Sequence, residues 1–479
     1  MPLCHDYERT ALLSFKASFI TLKSASHNPF AYPKLASWNT NGENATGNCC
    51  SWDGVECDQN TGHVIGLDLS SSFLYGSINS TSQLFNLSQL QSLNLADNDF
   101  NFSYIPTRIG QLSRLVYLNL SASMFSGQIP FEISQLSNLL YLDLSLSSGE
   151  EKLLELKKPG LRGLVHNLTS LQHLDLSYVE INSVVPESLG NLSSLRYIDL
   201  TRCGMHGNFP NKIFELPNLE FLNVRFNGNL SGNLPEFHSG SPLKSLRLGN
   251  TRFFGGLPSS ISNLDSLTEL RIRGCNFSGS IPSSIGNLTK LTYLDLANNS
   301  WHGQIPSSLQ NLTQLSYLQL SYNAFRGQIL PTLSWIGKLS KLILLDLTKT
   351  NLTGSIPSSF SNLTQLSNFR LAYNHLTGQV PLWLMNFTQL TDLYLSQNFL
   401  TGTLQLETFI NHASLTILRL SHNQLTLVSK TNSNTTLGKL EGLELASCNL
   451  NRLPDFLNFR NKLECLIYQK TIFTEQFPN

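Results

Sequence analysis

The sequence predicts an α/β repeat solenoid, a superhelix whose short strands stack into a parallel sheet on the concave side, with a cysteine-bearing cap at its N-terminal end. Three observations predict it. The pattern Leu-x-x-Leu-x-Leu recurs along most of the 479 residues, at a spacing that is mostly 24, and Gly-x-Ile-Pro or a close variant follows it in many units. Length alone suggests about three ordinary domains, but a solenoid grows one unit at a time without a single large core.

The middle leucine position of each unit falls at Leu67, Leu93, Leu118, Leu142, Leu174, Ile198, Leu222, Leu246, Leu270, Leu294, Leu318, Leu345, Phe369, Leu393, Leu418 and Leu443, and a degenerate further unit begins near Leu463 and Leu466. Side chains alternate along a strand, so in Leu294-Asp295-Leu296 the leucines enter the core and Asp295 faces solvent. Three residues after the second leucine stands an Asn, at 98, 299, 323, 374, 398 and 423, or a cysteine, at Cys203, Cys275 and Cys448. An inward Asn there serves backbone groups of its own and adjacent turns, which a tight bend would otherwise bury unpaired. Then Gly permits a turn and Pro fixes φ, as in Gly127-Gln128-Ile129-Pro130. A 24-residue period lies within the leucine-rich-repeat range of roughly 20–29.

Residues 1–63 read as the cap, which a solenoid needs to cover its terminal leucines. Cys4 to Lys16 has the spacing of an amphipathic helix, with Ala11, Leu12, Phe15 and Phe19 on one face. Trp38 and the run Cys49-Cys50-Ser51-Trp52-Asp53-Gly54-Val55-Glu56-Cys57 complete it. Four cysteines, Cys4, Cys49, Cys50 and Cys57, allow three pairings. An adjacent Cys-Cys with a distant Cys4 suits zinc poorly, so the reading is disulfides formed in an oxidising compartment.

Repeats with this period and Gly-x-Ile-Pro resemble those of plant receptor kinases, receptor-like proteins and polygalacturonase inhibitors, over roughly residues 64–460. The double Cys and Trp-x-Gly-Val-x-Cys resemble the cap of plant leucine-rich-repeat receptor-like proteins of the disease-resistance type. The resemblance implies the pairing Cys4–Cys49 and Cys50–Cys57. It also implies an extracellular ligand-recognition ectodomain, at the cell surface, that acts in plant defence through partner receptor kinases. The alternatives are a secreted protein similar to polygalacturonase inhibitors, a developmental peptide co-receptor, or a nonfunctional truncated product. The family continues with more repeats, a cysteine cap, an acidic stretch, a membrane helix and a tail; residues 461–479 are expected to be a degenerate or truncated final repeat. The N-terminus lacks the charged start and apolar centre of a signal peptide, and the leader is expected to be missing from this chain.

Composition narrows the function. Lys+Arg and Asp+Glu both number 32, for zero net charge, and charged residues are only 13%, against roughly 25% in average proteins. Nucleic-acid binders are usually basic, so no nucleic-acid partner is expected. The chain has no phosphate loop, no His-Glu-x-x-His and no Gly-x-Ser-x-Gly elbow; neither an enzyme nor a cofactor is expected. Sixteen Asn-x-Ser/Thr sequons occur. Asn86, Asn167, Asn191, Asn287, Asn311, Asn362 and Asn386 are the glycosylation candidates, whereas Asn119 and Asn298 lie on or beside the strand face, where a glycan would obstruct binding.

Binding is expected on the residues between the paired leucines. That row runs Asn119, Asp143, Asp175, Asp199, Asn223, Arg247, Arg271, Asp295, Gln319, Asp346, Arg370, Tyr394, Arg419, Glu444: acidic, then basic, then mixed. Arg225 and Arg273 follow the second leucine of their units, and Phe226 comes one step later. Arg225, Phe226, Arg247, Arg271 and Arg273 are therefore the ligand-binding candidates, since arginine and aromatic residues are typical hot spots and a guanidinium grips carboxylates in bidentate fashion. The expected ligand is a peptide or protein with an acidic or C-terminal carboxylate group. The step of 32 residues from Leu142 to Leu174 marks an insertion near 147–163, read as a surface loop.

Overall fold

The computed structural model describes residues 3–39, 48–146, 154–428, 439–450, 465–467 and 472–473. They divide into two compact units, one formed by Met1–Gly232 with Asn250–Arg252, the other by Asn233–Gly249 with Phe253–Asn479.

In the first unit the helix Asp6–Lys16 buries Glu8, Ala11, Leu12 and Phe15. Phe19 lies beyond it, on a strand Phe19–Thr21 that pairs antiparallel with Leu74–Gly76. The periodicity that placed Phe19 on the helix face is still satisfied in space, because its ring meets Phe15 edge-on at 4.8 Å and Phe100 at 5.6 Å. Disulfides join Cys4 to Cys49 and Cys50 to Cys57, each with Cα atoms 5.5 Å apart; this is the pairing the resemblance implies. Trp38 stacks on Trp52 at 5.4 Å and donates its indole N–H to the Asp53 carbonyl at 2.9 Å. Glu8 is buried, and Oε2 accepts the backbone N–H of Val64 at 3.1 Å. The cap thereby satisfies a donor of the first repeat strand that burial would otherwise leave unpaired.

That strand, Val64–Asp68, runs parallel to Ser92–Asn94, and the ladder continues through Tyr117–Asn119, Tyr141–Asp143, His173–Asp175 and Tyr197–Asp199 to Phe221–Asn223. Each unit's middle leucine pairs with the next, as Leu118 with Leu142. The described part of the insertion is regular structure: Leu154–Glu155 pairs with Gly127–Gln128, and Gly160–Val165 is an α-helix burying Leu161, Leu164 and Val165. Its residues 147–153 lie outside the described ones.

The second unit repeats the plan. Parallel strands run in register from Ser245–Arg247 through Glu269–Arg271, Tyr293–Asp295, Tyr317–Gln319, Leu344–Asp346, Asn368–Arg370, Asp392–Tyr394, Ile417–Arg419 and Gly442–Glu444 to Cys465–Ile467. The degenerate last unit thus adds a strand in register, Leu466 against Leu443; Leu463 and most of residues 461–479 lie outside the described ones. In both units the outer segments after Pro are 3-10 turns more often than α-helix, as at Ser283–Asn287 behind Pro282. Five residues leave room for little more than one turn.

The inward Asn works as its position suggests. Asn374 Nδ2 donates to the carbonyls of Leu347 at 2.8 Å and Leu371 at 3.0 Å, while Oδ1 accepts the N–H of Thr350 and Leu352, both at 3.0 Å. One side chain therefore closes two successive turns. Cys203 and Cys275 supply a donor at the same place, Sγ to the Leu176 carbonyl at 3.0 Å and to the Leu248 carbonyl at 3.4 Å. Among the described residues no helix is long and apolar enough to cross a membrane.

Candidate functional site

Each strand shows two residues on the sheet face away from the leucines, one before the middle leucine and one after it. The sheet geometry sets these rows about 7 Å apart along a strand, and successive members about 4.8 Å apart across strands. Sequence reading followed the second row. The first row proves equally informative.

On the second unit, Glu269 of the first row sits between Arg247 and Arg271. The Arg247 guanidinium donates to Glu269 Oε2 from Nε at 2.8 Å and from Nη2 at 2.5 Å, and Arg271 Nε contacts Glu269 Oε1. Ser245 Oγ donates to the same carboxylate at 2.7 Å. Although burial disfavours its charge, these donors hold the Glu269 carboxyl below the usual range. Arg271 also lies 3.8 Å over the Tyr293 ring, a cation–π contact. Arg273 is exposed and reaches Gln319 Oε1 at 3.3 Å. Burial pushes the nearby Asp295 up to about 6, against the pull of Arg273 and Arg271. Three guanidiniums thus face two carboxylates, one of them only weakly acidic, and the patch keeps net positive charge.

Arg225 and Phe226 belong to the first unit. The Arg225 guanidinium is 5.8 Å from the Phe226 ring centre, and Arg202 is closer, at 4.9 Å. Phe226 is exposed and lines a pocket of about 500 Å³ with Asn182, Arg202 and Asn250. So the five candidates divide between the units: Arg247 and Arg271 meet on one carboxylate, Arg273 lies on the same unit, and Arg225 pairs with Phe226 on the other.

The sequence reading missed a ladder of rings on the first unit. Tyr117, Tyr141, His173, Tyr197 and Phe221 occupy the first row on successive strands and stack at 4.2, 4.0, 4.1 and 4.3 Å, within 16° of parallel. Beside it runs the acidic row. Asp143 accepts Ser145 N–H at 3.0 Å and Oγ–H at 2.6 Å, Asp175 accepts Ser177 N–H at 2.9 Å, and Asp199 accepts Thr201 N–H at 2.8 Å and Asn223 Nδ2 at 2.7 Å. Burial and mutual repulsion push Asp175 up to about 8, and burial raises Asp143 and Asp199 also. Burial depresses His173 to about 4, leaving a neutral imidazole. The signal was present in the sequence as Tyr, Tyr, His, Tyr, Phe immediately before successive middle leucines.

All seven glycosylation candidates are exposed. Six sit at the ends of outer 3-10 turns, as Asn287 and Asn362 do, and Asn167 just follows the helix Gly160–Val165. Asn119, in contrast, is buried on its strand, with Oδ1 accepting Ser121 N–H at 2.9 Å.

The cap matches the leucine-rich-repeat N-terminal domain model over residues 5–58, and leucine-rich-repeat models match residues 162–205, 242–264, 265–325 and 341–363. Receptor-like protein 7 of Arabidopsis thaliana is 51% identical over 270 residues, which are 56% of this chain and 26% of the relative. Receptor-like protein 6 of the same plant is 37% identical over 277 residues, 55% of this chain and 27% of the relative. The chain thus matches about a quarter of the length of these curated relatives. The crystal structure of PEPR1-AtPEP1 superimposes with a TM-score of 0.70 at 28% identity, covering 98% of this chain and 66% of that one. The chain thus carries a leucine-rich-repeat cap and leucine-rich repeats, and it is similar to plant receptor-like proteins of the disease-resistance type.

Proposed function

We propose that this chain is the extracellular ligand-recognition part of a receptor-like protein in plant defence, displayed at the cell surface and signalling through partner receptor kinases. It acts by binding, not catalysis. The observation that carries the reading is the patch of Arg247 and Arg271 on adjacent strands with Arg273 two residues beyond, which keeps positive charge after Glu269 and Asp295 are counted. Its arginines are oriented by contacts that a ligand need not build, so less side-chain freedom is lost on binding. The similarity to receptor-like proteins and to the PEPR1-AtPEP1 structure supports a peptide or protein ligand. An acidic side chain or a free C-terminal carboxylate suits the guanidiniums. The patch lies on a strand face, whereas the seven glycosylation candidates sit at the ends of outer turns or just after the helix Gly160–Val165.

The test is a peptide library presented with free and with amidated C-termini to the secreted chain. Retention is expected to depend on the free carboxylate or on an acidic residue. The double variant Arg247→Ala/Arg271→Ala is expected to lose at least about tenfold in affinity, as hot-spot truncations do, while still being secreted. Retention indifferent to both changes sinks the reading.

A further inference from the structure

The first unit carries a face of opposite character, rings and carboxylates in place of arginines. We propose that the ring ladder Tyr117–Tyr141–His173–Tyr197–Phe221 and the adjoining carboxylates of Asp143 and Asp175 form a groove for the basic side chains of an extended peptide. The inference concerns the first unit alone and does not rest on the arginine patch.

Complementarity of charge selects the occupant. The carboxylates of Asp143 and Asp175 form no ion pair with any lysine or arginine among the described residues; their donors are neutral groups of Ser145, Ser121 and Ser177, with the Tyr197 hydroxyl 3.5 Å from Asp175. Asp199, at the end of the row, does feel a cation, Arg225. His173, the basic group set between the rings, is held neutral by burial. Folding therefore gathers carboxylates on one face without bringing a counter-charge to the first two. A cationic ligand supplies it, and in doing so draws Asp175, which burial keeps protonated up to about 8, into its charged form with release of that proton. At this depth of burial the attraction is screened less than at an open surface.

Shape selects how the cation arrives. Stacked rings 4.0 to 4.3 Å apart on successive strands make a continuous apolar wall. The carboxylate row runs parallel to that wall, about 7 Å away along each strand. The methylene stem of an arginine or lysine lies along apolar surface while its charged head reaches a polar group. Two such side chains at positions i and i+2 of an extended peptide leave its backbone about 7 Å apart, and their flexible stems converge on Asp143 and Asp175, which face each other across one strand step of about 4.8 Å.

The rival occupant is a divalent cation, since ligand atoms of Asp143, His173 and Asp175 lie within 4.8 Å of one another. His173 is stacked on both faces between Tyr141 and Tyr197, and a metal explains neither the length of the ladder nor its phenyl end. The peptide reading accounts for both.

The experiment uses the whole chain and an acetylated, amidated peptide of alternating arginine and serine. This probe has no carboxylate and cannot report on the arginine patch. Calorimetric titration is expected to show binding that falls at least tenfold in Asp143→Asn/Asp175→Asn and is absent when citrulline replaces arginine. The near-isosteric Asn variants keep the packing, and a retained melting temperature checks it. In Arg247→Ala/Arg271→Ala the binding should be unchanged. Equal affinity for the wild-type chain and the Asn double variant overturns the proposal, as does equal binding of the citrulline peptide. Zinc or manganese ions bound through these residues, with no peptide binding, overturn it too, in favour of a metal centre.

Discussion

On the first unit the carboxylates of Asp143 and Asp175 lie beside stacked rings and meet no lysine or arginine among the described residues. On the second, Glu269 meets Arg247 and Arg271, Asp392 meets Arg370 at 2.8 Å, and Glu444 meets Arg419 at 3.2 Å. The rings differ in extent: the first unit stacks five in succession, whereas on the second Tyr293 stacks on Tyr317 at 4.8 Å, and Tyr394 takes Arg370 at 4.7 Å and Arg419 at 4.5 Å instead. The same backbone and leucine pattern underlie both. The difference teaches that the core fixes the scaffold while the two face rows are chosen separately, so one face is held by ring packing and the other by charge.

The largest expected effect tests the packing half of that contrast. Tyr141→Ala removes a half-buried ring stacked on Tyr117 and His173, at a cost of about 2 kcal/mol from lost burial and stacking. Long repeat arrays do not unfold as one unit, so the readout is amide hydrogen exchange on the strands from Tyr117–Asn119 to Tyr197–Asp199. Protection should drop there by a similar factor at low and at high salt. A strongly salt-dependent loss would show that charge, not packing, holds this face.

The scaffold was legible in the sequence because its constraint repeats. A leucine that must be buried, or an Asn that must close two turns, is dictated by its own unit and its neighbour. Asn227 shows the limit of pattern reading: it serves Met205, Leu200 and Val224 as its counterparts serve theirs, yet it was passed over although the same spacing reaches it. The face was only half legible. Reading the residue after the middle leucine found Arg247 and Arg271 but not Glu269, which joins them, because a sequence row carries no information about side chains leaning across strands. The same choice of row hid the ring ladder. The helical period also ran past Lys16 to Phe19, since an aromatic contact preserved in space does not require a continuous helix.

A smaller effect tests the charged half. Glu269→Ala leaves two guanidiniums without their shared carboxylate. Both are partly exposed, with side chains 25% and 30% accessible, so water replaces much of the interaction and the cost is about 1 kcal/mol. Exchange protection on Ser245–Arg247 and Glu269–Arg271 should fall, and by less at 1 M salt, where screening already weakens the wild-type contact. The same variant frees positive charge and should tighten a carboxylate ligand. A loss as large as that of Tyr141→Ala, and indifferent to salt, would erase the distinction between the two faces.

The smallest effect comes from Asp175. Its folded value of about 8 stands above the roughly 3.9 of an unfolded aspartate. Between these values the folded chain holds a proton that the unfolded chain releases, so stability falls as pH rises across that window. His173 acts oppositely. Folded it titrates near 4 and unfolded near 6.5, so its contribution grows from pH 4 to about 6.5 and offsets the carboxyl there. Above about 6.5 the contribution of His173 no longer changes, and the Asp175 carboxyl acts without that offset. Asp175→Asn removes one titration and one source of repulsion for its neighbours. The variant is expected to raise exchange protection on the strands from Tyr141–Asp143 to Tyr197–Asp199 about fivefold over wild type at pH 8, the equivalent of roughly 1 kcal/mol, and by a smaller factor at pH 6.5. The second unit supplies the control. Asp295 titrates near 6, so Asp295→Asn should gain its advantage below pH 6.5 and add little between 6.5 and 8. If both variants respond over the same pH range, the carboxylates of the first face are no less compensated than those of the second, and the peptide groove loses its electrostatic basis.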